Sequence, residues 1–228
     1  MCKQWPDLHT NSGRKPRIAS FVFLFEHCIP FYVKGRKHRG ILVTAMKVHD
    51  LVFIDTETTG LDARTHEIIE IAVIRVRQNW TDGEKPQFSV IDEWSVKIQP
   101  ENIATADPAS LRVNGYTVTG WKNAIAIKEA LQKCSEKTDG AIMVAHNVAF
   151  DAGFLDNALA AHGIPNKMHY HRLDTVSMAY AVLHNTPDVA RYSLAELGKH
   201  FGIVNENAHS ALADARADFE LFKRLMAR

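Results

Sequence analysis

Residues 51–60 read LVFIDTETTG, an apolar run followed directly by two acidic residues. The run at 51–54 predicts a buried β-strand. Side chains alternate between the two faces of a strand, so Asp55 and Glu57 point the same way and converge on one spot. Carboxylates this close repel each other unless a cation neutralises them. The competing interpretation is an ordinary acidic turn after a strand, in which Gly60 supplies a positive φ angle.

Two further acidic segments follow in the second half of the chain. Asp151 comes after a short apolar strand predicted at 141–145. Asp214 lies near the start of a helix predicted at 210–226 and is off its apolar face. His209 precedes Asp214 by five residues, a spacing that does not share a helix face, so we expect the histidine on the loop that enters the helix. The apolar face of this helix is formed by Leu212, Ala215, Phe219, Phe222 and Met226.

These segments together resemble the DEDD exonuclease superfamily in its histidine-bearing branch. The three motifs occur in the family's order and at domain-compatible spacing, and the resemblance runs from about residue 48 to residue 226. Within the superfamily, the chain looks most like the proofreading epsilon subunits of bacterial DNA polymerase III, with RNase T a more distant relative. The residues that carry the resemblance are Asp55, Glu57, Asp151, His209 and Asp214.

The residue types indicate a divalent-metal site. Oxygen ligands without cysteine favour Mg²⁺ or Mn²⁺ over zinc, and two-metal sites hold their ions roughly 3.5–4 Å apart across an in-line displacement. By the resemblance, Asp55, Glu57 and Asp214 would hold the first of two cations, and Asp55 would bridge to the second. Asp151 would complete the cluster, partly through water. His209 would take the proton from the attacking water, because imidazole titrates near neutral pH.

Residues beside the motifs are predicted substrate contacts by the same resemblance. For His146 and Asn147 two interpretations stay open, substrate contact or local hydrogen bonding. Phe150 and Phe154 flank Asp151, and we expect one of them to pack under the helix and the other to stack on a base. The predicted substrate contacts are Thr58, Gly60, Leu61, His146, Asn147 and Phe150.

The resemblance implies a 3′→5′ exonuclease that acts on single-stranded or frayed DNA ends and releases nucleoside 5′-monophosphates. RNA 3′-end trimming is the alternative, because Asn114 stands where many epsilon relatives have histidine and RNase T-like proteins have asparagine. A non-catalytic binding module would be expected to lack a carboxylate or the histidine, and all five are present. Epsilon subunits continue into a polymerase-binding tail, whereas this sequence ends 14 residues after Asp214, so no polymerase contact through such a tail is expected.

Charge divides the chain into two parts. Residues 1–47 carry nine Lys and Arg against Asp7 and Glu26, net +7, which leaves 18 basic and 24 acidic residues, net −6, for 48–228. We therefore predict a basic N-terminal extension at 1–47 and an acidic exonuclease domain at 48–228, in which cations and local contacts attract the substrate. Met46 is the expected natural start, which would leave the extension without catalytic consequence. The alternative is that its basic charge binds nucleic acid.

The sequence predicts a cytoplasmic protein without membrane contact. Cys2, Cys28 and Cys134 have no paired spacing, which is typical of a reducing compartment. No apolar run approaches the roughly eighteen residues of a membrane span. Residues 14–25 resemble a short signal peptide, but Glu26 ends the apolar run and no small-x-small cleavage site follows.

The order of predicted elements indicates an α/β fold with a mixed sheet covered by helices. The resemblance implies the RNase H-like fold, a five-stranded mixed sheet flanked by helices, with the acidic residues at the edge of its central strands. Strands are predicted at 49–56, 67–78, 88–98, 141–145 and 169–173. Helices are predicted at 108–113, 121–137, 149–162, 175–184, 193–201 and 210–226.

Overall fold

A computed structural model describes residues 45–81, 83–205 and 209–228. The interpretations of residues 1–44, which make up nearly all of the basic extension, therefore lie outside the described residues. The strands are β1 (Leu51–Thr58), β2 (Ile68–Asn79), β3 (Gln87–Lys97), β4 (Ile142–Ala145) and β5 (Arg172–Asp174). The helices are α1 (Pro108–Val113), α2 (Ile127–Lys137), α3 (Val148–Ala161), α4 (Thr175–Leu183), α5 (Leu194–Phe201) and α6 (Ala211–Met226).

The strands form one sheet in the order β3-β2-β1-β4-β5. The first three strands pair antiparallel as a meander, whereas β4 runs parallel to β1 and β5 runs parallel to β4. The carboxyl ends of the three parallel strands therefore meet at one edge, which is where Asp55 and Glu57 lie. This arrangement confirms the predicted mixed five-stranded sheet of the RNase H-like fold.

The apolar run of β1 is buried on both faces of the sheet. Val52 and Ile54 belong to a core that includes residues of α2 and α3, and Leu51 and Phe53 belong to a second core on α6. The Phe53 ring lies 4.9 Å from the ring of Phe219 in α6. Helices on both faces explain why this strand reads as a continuous apolar run rather than as an alternation.

The starts of α2 and β5 lie six and three residues later than predicted. α2 begins at Ile127 rather than at 121, because the backbone of Ile125 exchanges hydrogen bonds with Lys97 and Gln99 at the end of β3. β5 begins at Arg172 rather than at 169. No helix among the described residues is long and apolar enough to span a bilayer.

Candidate active site

Three of the predicted metal ligands lie together at the carboxyl end of β1. Asp55 and Glu57 come from the strand itself, and Asp214 comes from the first turn of α6. One carboxylate oxygen from each of the three residues lies within 4.8 Å of the others. α6 packs along β1, so it brings a residue from the end of the chain to the strand that begins the domain. Such a group of oxygen donors can bind a divalent metal.

Burial and repulsion shift the pKa values of this cluster upward. Burial raises the pKa of Asp55 well above its usual range, and the neighbouring carboxylates Asp151, Asp214 and Glu57 raise it further. Burial followed by the charge of Asp214 raises the pKa of Glu57 to about 8. Glu70 faces Glu57 across the β1–β2 pair and adds to this repulsion. A cation would relieve the repulsion, so the donor set fits a metal site better than an acidic turn.

Asp151 lies beside the site but is not one of the three clustered carboxylates. It lies in the first turn of α3 and is buried. Its Oδ1 accepts hydrogen bonds from the backbone N–H of Thr56, at 2.9 Å, and from the Thr56 hydroxyl, at 2.7 Å. Burial raises the pKa of Asp151 to about 7. One oxygen of this carboxylate therefore fixes α3 against β1, beside the three clustered carboxylates.

His209 lies in the turn before α6, as the spacing predicted, with a positive φ angle of 70°. Its backbone N–H donates to Oδ2 of Asp214 at 3.1 Å. Asn205, which the motifs did not indicate, donates from Nδ2 to Oδ1 of the same carboxylate at 2.5 Å. Both oxygens of Asp214 are thus hydrogen-bonded by residues that precede α6.

Asp218 is a further buried carboxylate that the sequence interpretation missed. It follows Asp214 by four residues, which places both on one helix face, and that spacing could have revealed it. Its Oδ1 lies 2.5 Å from the hydroxyl of Thr175, which in turn lies 3.0 Å from Nδ1 of His146. The other oxygen of Asp218 is buried without a hydrogen-bond partner among the described residues. Burial raises the pKa of Asp218 to about 7.

His146 and Asn147 occupy the turn between β4 and α3. The His146 ring makes local hydrogen bonds at both nitrogens, with Nε2 donating to the Tyr192 carbonyl at 2.8 Å. Asn147 is exposed, has a left-handed backbone, and donates its N–H to Asp174 at 3.0 Å. Of the two interpretations left open for this pair, the structure shows local hydrogen bonding for the His146 ring.

A cavity of about 340 Å³ opens beside the cluster, between the end of β1 and α1. We call it the β1–α1 cavity. Leu61, which is 77% exposed, forms part of its rim. Asn114 is buried there and donates from Nδ2 to the Thr58 carbonyl at 3.0 Å. The lining residues are Thr56, Glu57, Thr58, Leu61, Asp107, Ala109, Ser110, Val113, Asn114 and Phe150.

The two phenylalanines of α3 differ in their surroundings. Phe154 is 2% exposed and packs in the core, whereas Phe150 lines the β1–α1 cavity. Their ring centroids lie 4.9 Å apart, so the core residue supports the ring that faces the cavity. Gly60 does not line the cavity and does not have a positive φ angle. A Cβ at position 60 would lie 2.2 Å from Cδ2 of His66, so a larger residue there would have to displace the His66 ring.

Fold and site together define a class: α/β nucleases that carry a carboxylate cluster at the end of the central strand of a mixed sheet. The sequence profile of the RNase T exonuclease family matches residues 52–222, which is most of the chain. The chain belongs to this exonuclease family, and the predicted membership of the DEDD 3′→5′ exonucleases is confirmed.

Sequence relatives include much longer polymerases. The PolC-type DNA polymerase III of Clostridium perfringens is 33% identical over 175 residues, which covers 76% of this chain and 11% of the polymerase. The corresponding protein of Lacticaseibacillus paracasei is 33% identical over 169 residues, covering 74% of this chain and 11% of its own length. The chain thus spans about a tenth of the length of these relatives.

Solved structures share the fold. Escherichia coli exonuclease I in complex with a dT13 oligonucleotide superposes with a TM-score of 0.66 at 22% identity, over 79% of this chain and 41% of that chain. Exonuclease I from Methylocaldum szegediense gives a TM-score of 0.62 at 22% identity, over 79% of this chain and 40% of that chain. These similarities show that part of each exonuclease I structure shares its fold with this chain.

Proposed function

We propose that this protein is a 3′→5′ exonuclease that hydrolyses the terminal phosphodiester of single-stranded or frayed DNA with the help of two Mg²⁺ or Mn²⁺ ions. The observation that carries the proposal is the group formed by Asp55, Glu57 and Asp214, whose oxygens lie within 4.8 Å of one another. The family of the chain and the raised pKa values of Asp55 and Glu57 support it. The proposed products are nucleoside 5′-monophosphates.

Each acidic residue has a proposed role in holding the cations. Asp55, Glu57 and Asp214 would hold the first cation, Asp55 would also hold the second, and Asp151 would complete the cluster. When bound, such cations stabilise the charge that develops on the attacking and leaving oxygens. His209 accepts the proton of the attacking water, a role that histidine side chains commonly take.

The β1–α1 cavity is the proposed site of the terminal nucleoside. It opens directly beside Glu57, and Phe150 offers an aromatic face for a base. Thr58 and Leu61 line the same cavity. Gly60 has an indirect role in this proposal. Because it has no Cβ, it leaves space for the His66 ring in the turn that contains Leu61. We propose that Asn147, on the exposed turn before α3, meets the strand beyond the terminal nucleoside, and that His146 supports that turn through its hydrogen bonds.

DNA is the proposed substrate, and RNA is the second candidate. Exonuclease I, with which the chain shares its fold, has been crystallised with single-stranded DNA. Asn114 favours the RNA alternative, because it lines the β1–α1 cavity and stands where RNase T-like proteins have asparagine. The cytoplasm is the proposed compartment, on the basis of three cysteines without paired spacing.

The proposal is tested with end-labelled DNA and RNA oligomers of matched sequence, incubated with Mg²⁺, with Mn²⁺ or with a chelator. We expect stepwise shortening from the 3′ end of DNA that requires metal and is abolished in Asp55→Asn and Glu57→Gln. Asp156 is a partly exposed carboxylate of α3, so Asp156→Asn is the matched control and should retain activity. Faster shortening of RNA would favour the second candidate. Hydrolysis in excess chelator, or by either cluster variant, would contradict the metal assignment.

A further inference from the structure

We infer that Asn205 is a positioning residue that acts through Asp214 to hold His209 beside the carboxylate cluster. The inference rests on the proposed function, in which His209 is the general base. Asn205 and His209 both precede α6, and both donate to the Asp214 carboxylate. The amide of Asn205 donates to Oδ1 and the backbone N–H of His209 donates to Oδ2, so one carboxylate binds both residues.

The chemistry of these hydrogen bonds is compatible with metal binding. An ionised carboxylate offers about four lone-pair positions, and the hydrogen bonds from Asn205 and His209 occupy two of them. The remaining positions stay available to a cation beside Asp55 and Glu57. An amide donor also leaves the negative charge of Asp214 in place, whereas a lysine or arginine at position 205 would neutralise the charge that attracts the cation.

The backbone of His209 explains why such a tie is needed. Its φ angle is 70°, in the left-handed region that a residue with a side chain rarely adopts. A backbone of this kind persists only when its surroundings hold it. The bond from His209 N–H to Asp214 is one restraint, and the Asn205 amide fixes the carboxylate that accepts it. Without Asn205, Asp214 can turn on its side-chain torsions and the restraint on His209 weakens.

The test compares Asn205→Ala with Asn166→Ala, a matched control in which the lost amide also donates to a carboxylate, Asp156, at 2.9 Å. The first readout is the hydrogen-exchange rate of the His209 backbone N–H in the metal-free protein. We expect Asn205→Ala to raise this rate by on the order of tenfold, because one hydrogen bond is lost. Asn166→Ala should leave the rate unchanged.

The second readout is the rate on a short single strand, together with the Mn²⁺ affinity from calorimetry. We expect Asn205→Ala to lower kcat by on the order of tenfold while KM and the Mn²⁺ affinity change little. His209→Ala alone should lower the rate by about 10²–10⁴-fold. Because Asn205 acts through His209, the double variant should be no slower than His209→Ala.

Three results would overturn the inference: unchanged exchange at the His209 N–H, additive losses in the double variant, or a fall in Mn²⁺ affinity that accounts for the fall in rate. If Asn205→Ala does not fold, Asn205→Leu preserves volume without the donor and replaces it in every measurement. Failure of the proposed function is distinguishable, because the wild-type protein would then hydrolyse neither oligomer while the exchange measurement would still test the tie.

Discussion

At the scale of single residues, the hydrogen bonds around Asp218 bear on its protonation. His146 Nε2 donates to a carbonyl, so in neutral His146 the other nitrogen, Nδ1, is an acceptor. Burial lowers the pKa of His146, which favours this neutral form. The Thr175 hydroxyl has a single proton and lies between Nδ1 of His146 and Oδ1 of Asp218, and it donates to the carboxylate. Burial raises the pKa of Asp218 to about 7, and the hydrogen bond from Thr175 opposes that rise.

Asp218→Asn should change the pH dependence of stability in the metal-free protein. The pKa of Asp218 is about 7 when folded and 3.8 ordinarily, so its contribution is present below about pH 4 and is lost as the pH rises through 7. An amide resembles the protonated acid at every pH. We expect the variant to match the wild type only below about pH 4, and its advantage in free energy of unfolding to grow by on the order of 2 kcal/mol between pH 5 and pH 8.

Urea unfolding in chelator between pH 5 and pH 8 measures this difference, with Asp156→Asn as the exposed control. A constant difference between wild type and Asp218→Asn across that range would show that Asp218 is ionised throughout. Glu57 and Asp151 also have raised pKa values and make the wild type less stable as the pH rises. Both proteins retain those carboxylates, so subtracting the two curves leaves the titration of Asp218 together with its interaction with Asp151 and Asp55.

At the scale of elements, the turn from β1 to β2 depends on the contact between Gly60 and His66. The His66 ring occupies the position of a Cβ on Gly60, and its Nδ1 accepts from the N–H of Asp62 at 3.1 Å. Leu61 lies inside this turn, on the rim of the β1–α1 cavity. The position of an exposed cavity residue is thus set by a glycine that does not contact the cavity.

Gly60→Ala should therefore destabilise the protein and weaken substrate binding. The added Cβ would lie 2.2 Å from Cδ2 of His66, so we expect a loss of about 1–3 kcal/mol and a raised KM. Gly153→Ala in α3 is the matched control, because its Cβ meets nothing within 4 Å, and it should stabilise the helix by roughly 0.5–1 kcal/mol. Thermal unfolding measures the stability of both variants, and oligomer kinetics measures their KM. Equal stability of the two variants would contradict the contact between Gly60 and His66.

Helices and strands with strong local signals could be predicted from the sequence, and elements defined by distant contacts could not. α1 has its predicted bounds because Asp107 caps its first turn and Pro108 follows. The start of α2 was misplaced because the pairing of Ile125 with β3 is a long-range contact. Asp55, Glu57 and Asp214 were recognised from local motifs. Asn205 was not, because its role depends on its position beside Asp214 in the folded protein. Asp218 was missed although its spacing of four residues from Asp214 indicates a shared helix face.

At the scale of the whole molecule, the basic residues of the first 47 positions contrast with the acidic remainder. The backbone of Met46 accepts a hydrogen bond from Gln78 Nε2 at 2.8 Å, and Met46 packs against the core that contains Phe53. A protein that starts at Met46 keeps both contacts. The role of the basic residues before it can therefore be tested by deletion.

Removal of residues 1–45 should leave folding and the rate on a short oligomer nearly unchanged. If the basic extension binds nucleic acid, the shortened protein should bind long single strands more weakly at low salt, with a smaller dependence on salt concentration. Circular dichroism, oligomer hydrolysis and binding at two salt concentrations measure these effects. Failure of the shortened protein to fold would show that the extension belongs to the domain.

The deletion also turns a buried side chain of α2 into a probe. Cys2 and Cys28 precede Met46, so the shortened protein contains a single thiol, that of Cys134. This residue is 1% exposed, so in the folded protein reagents hardly reach its thiol. Burial also raises the pKa of the thiol to about 12, so it is almost never a reactive thiolate. Alkylation must proceed through opened molecules, and its rate reports how often α2 separates from the sheet.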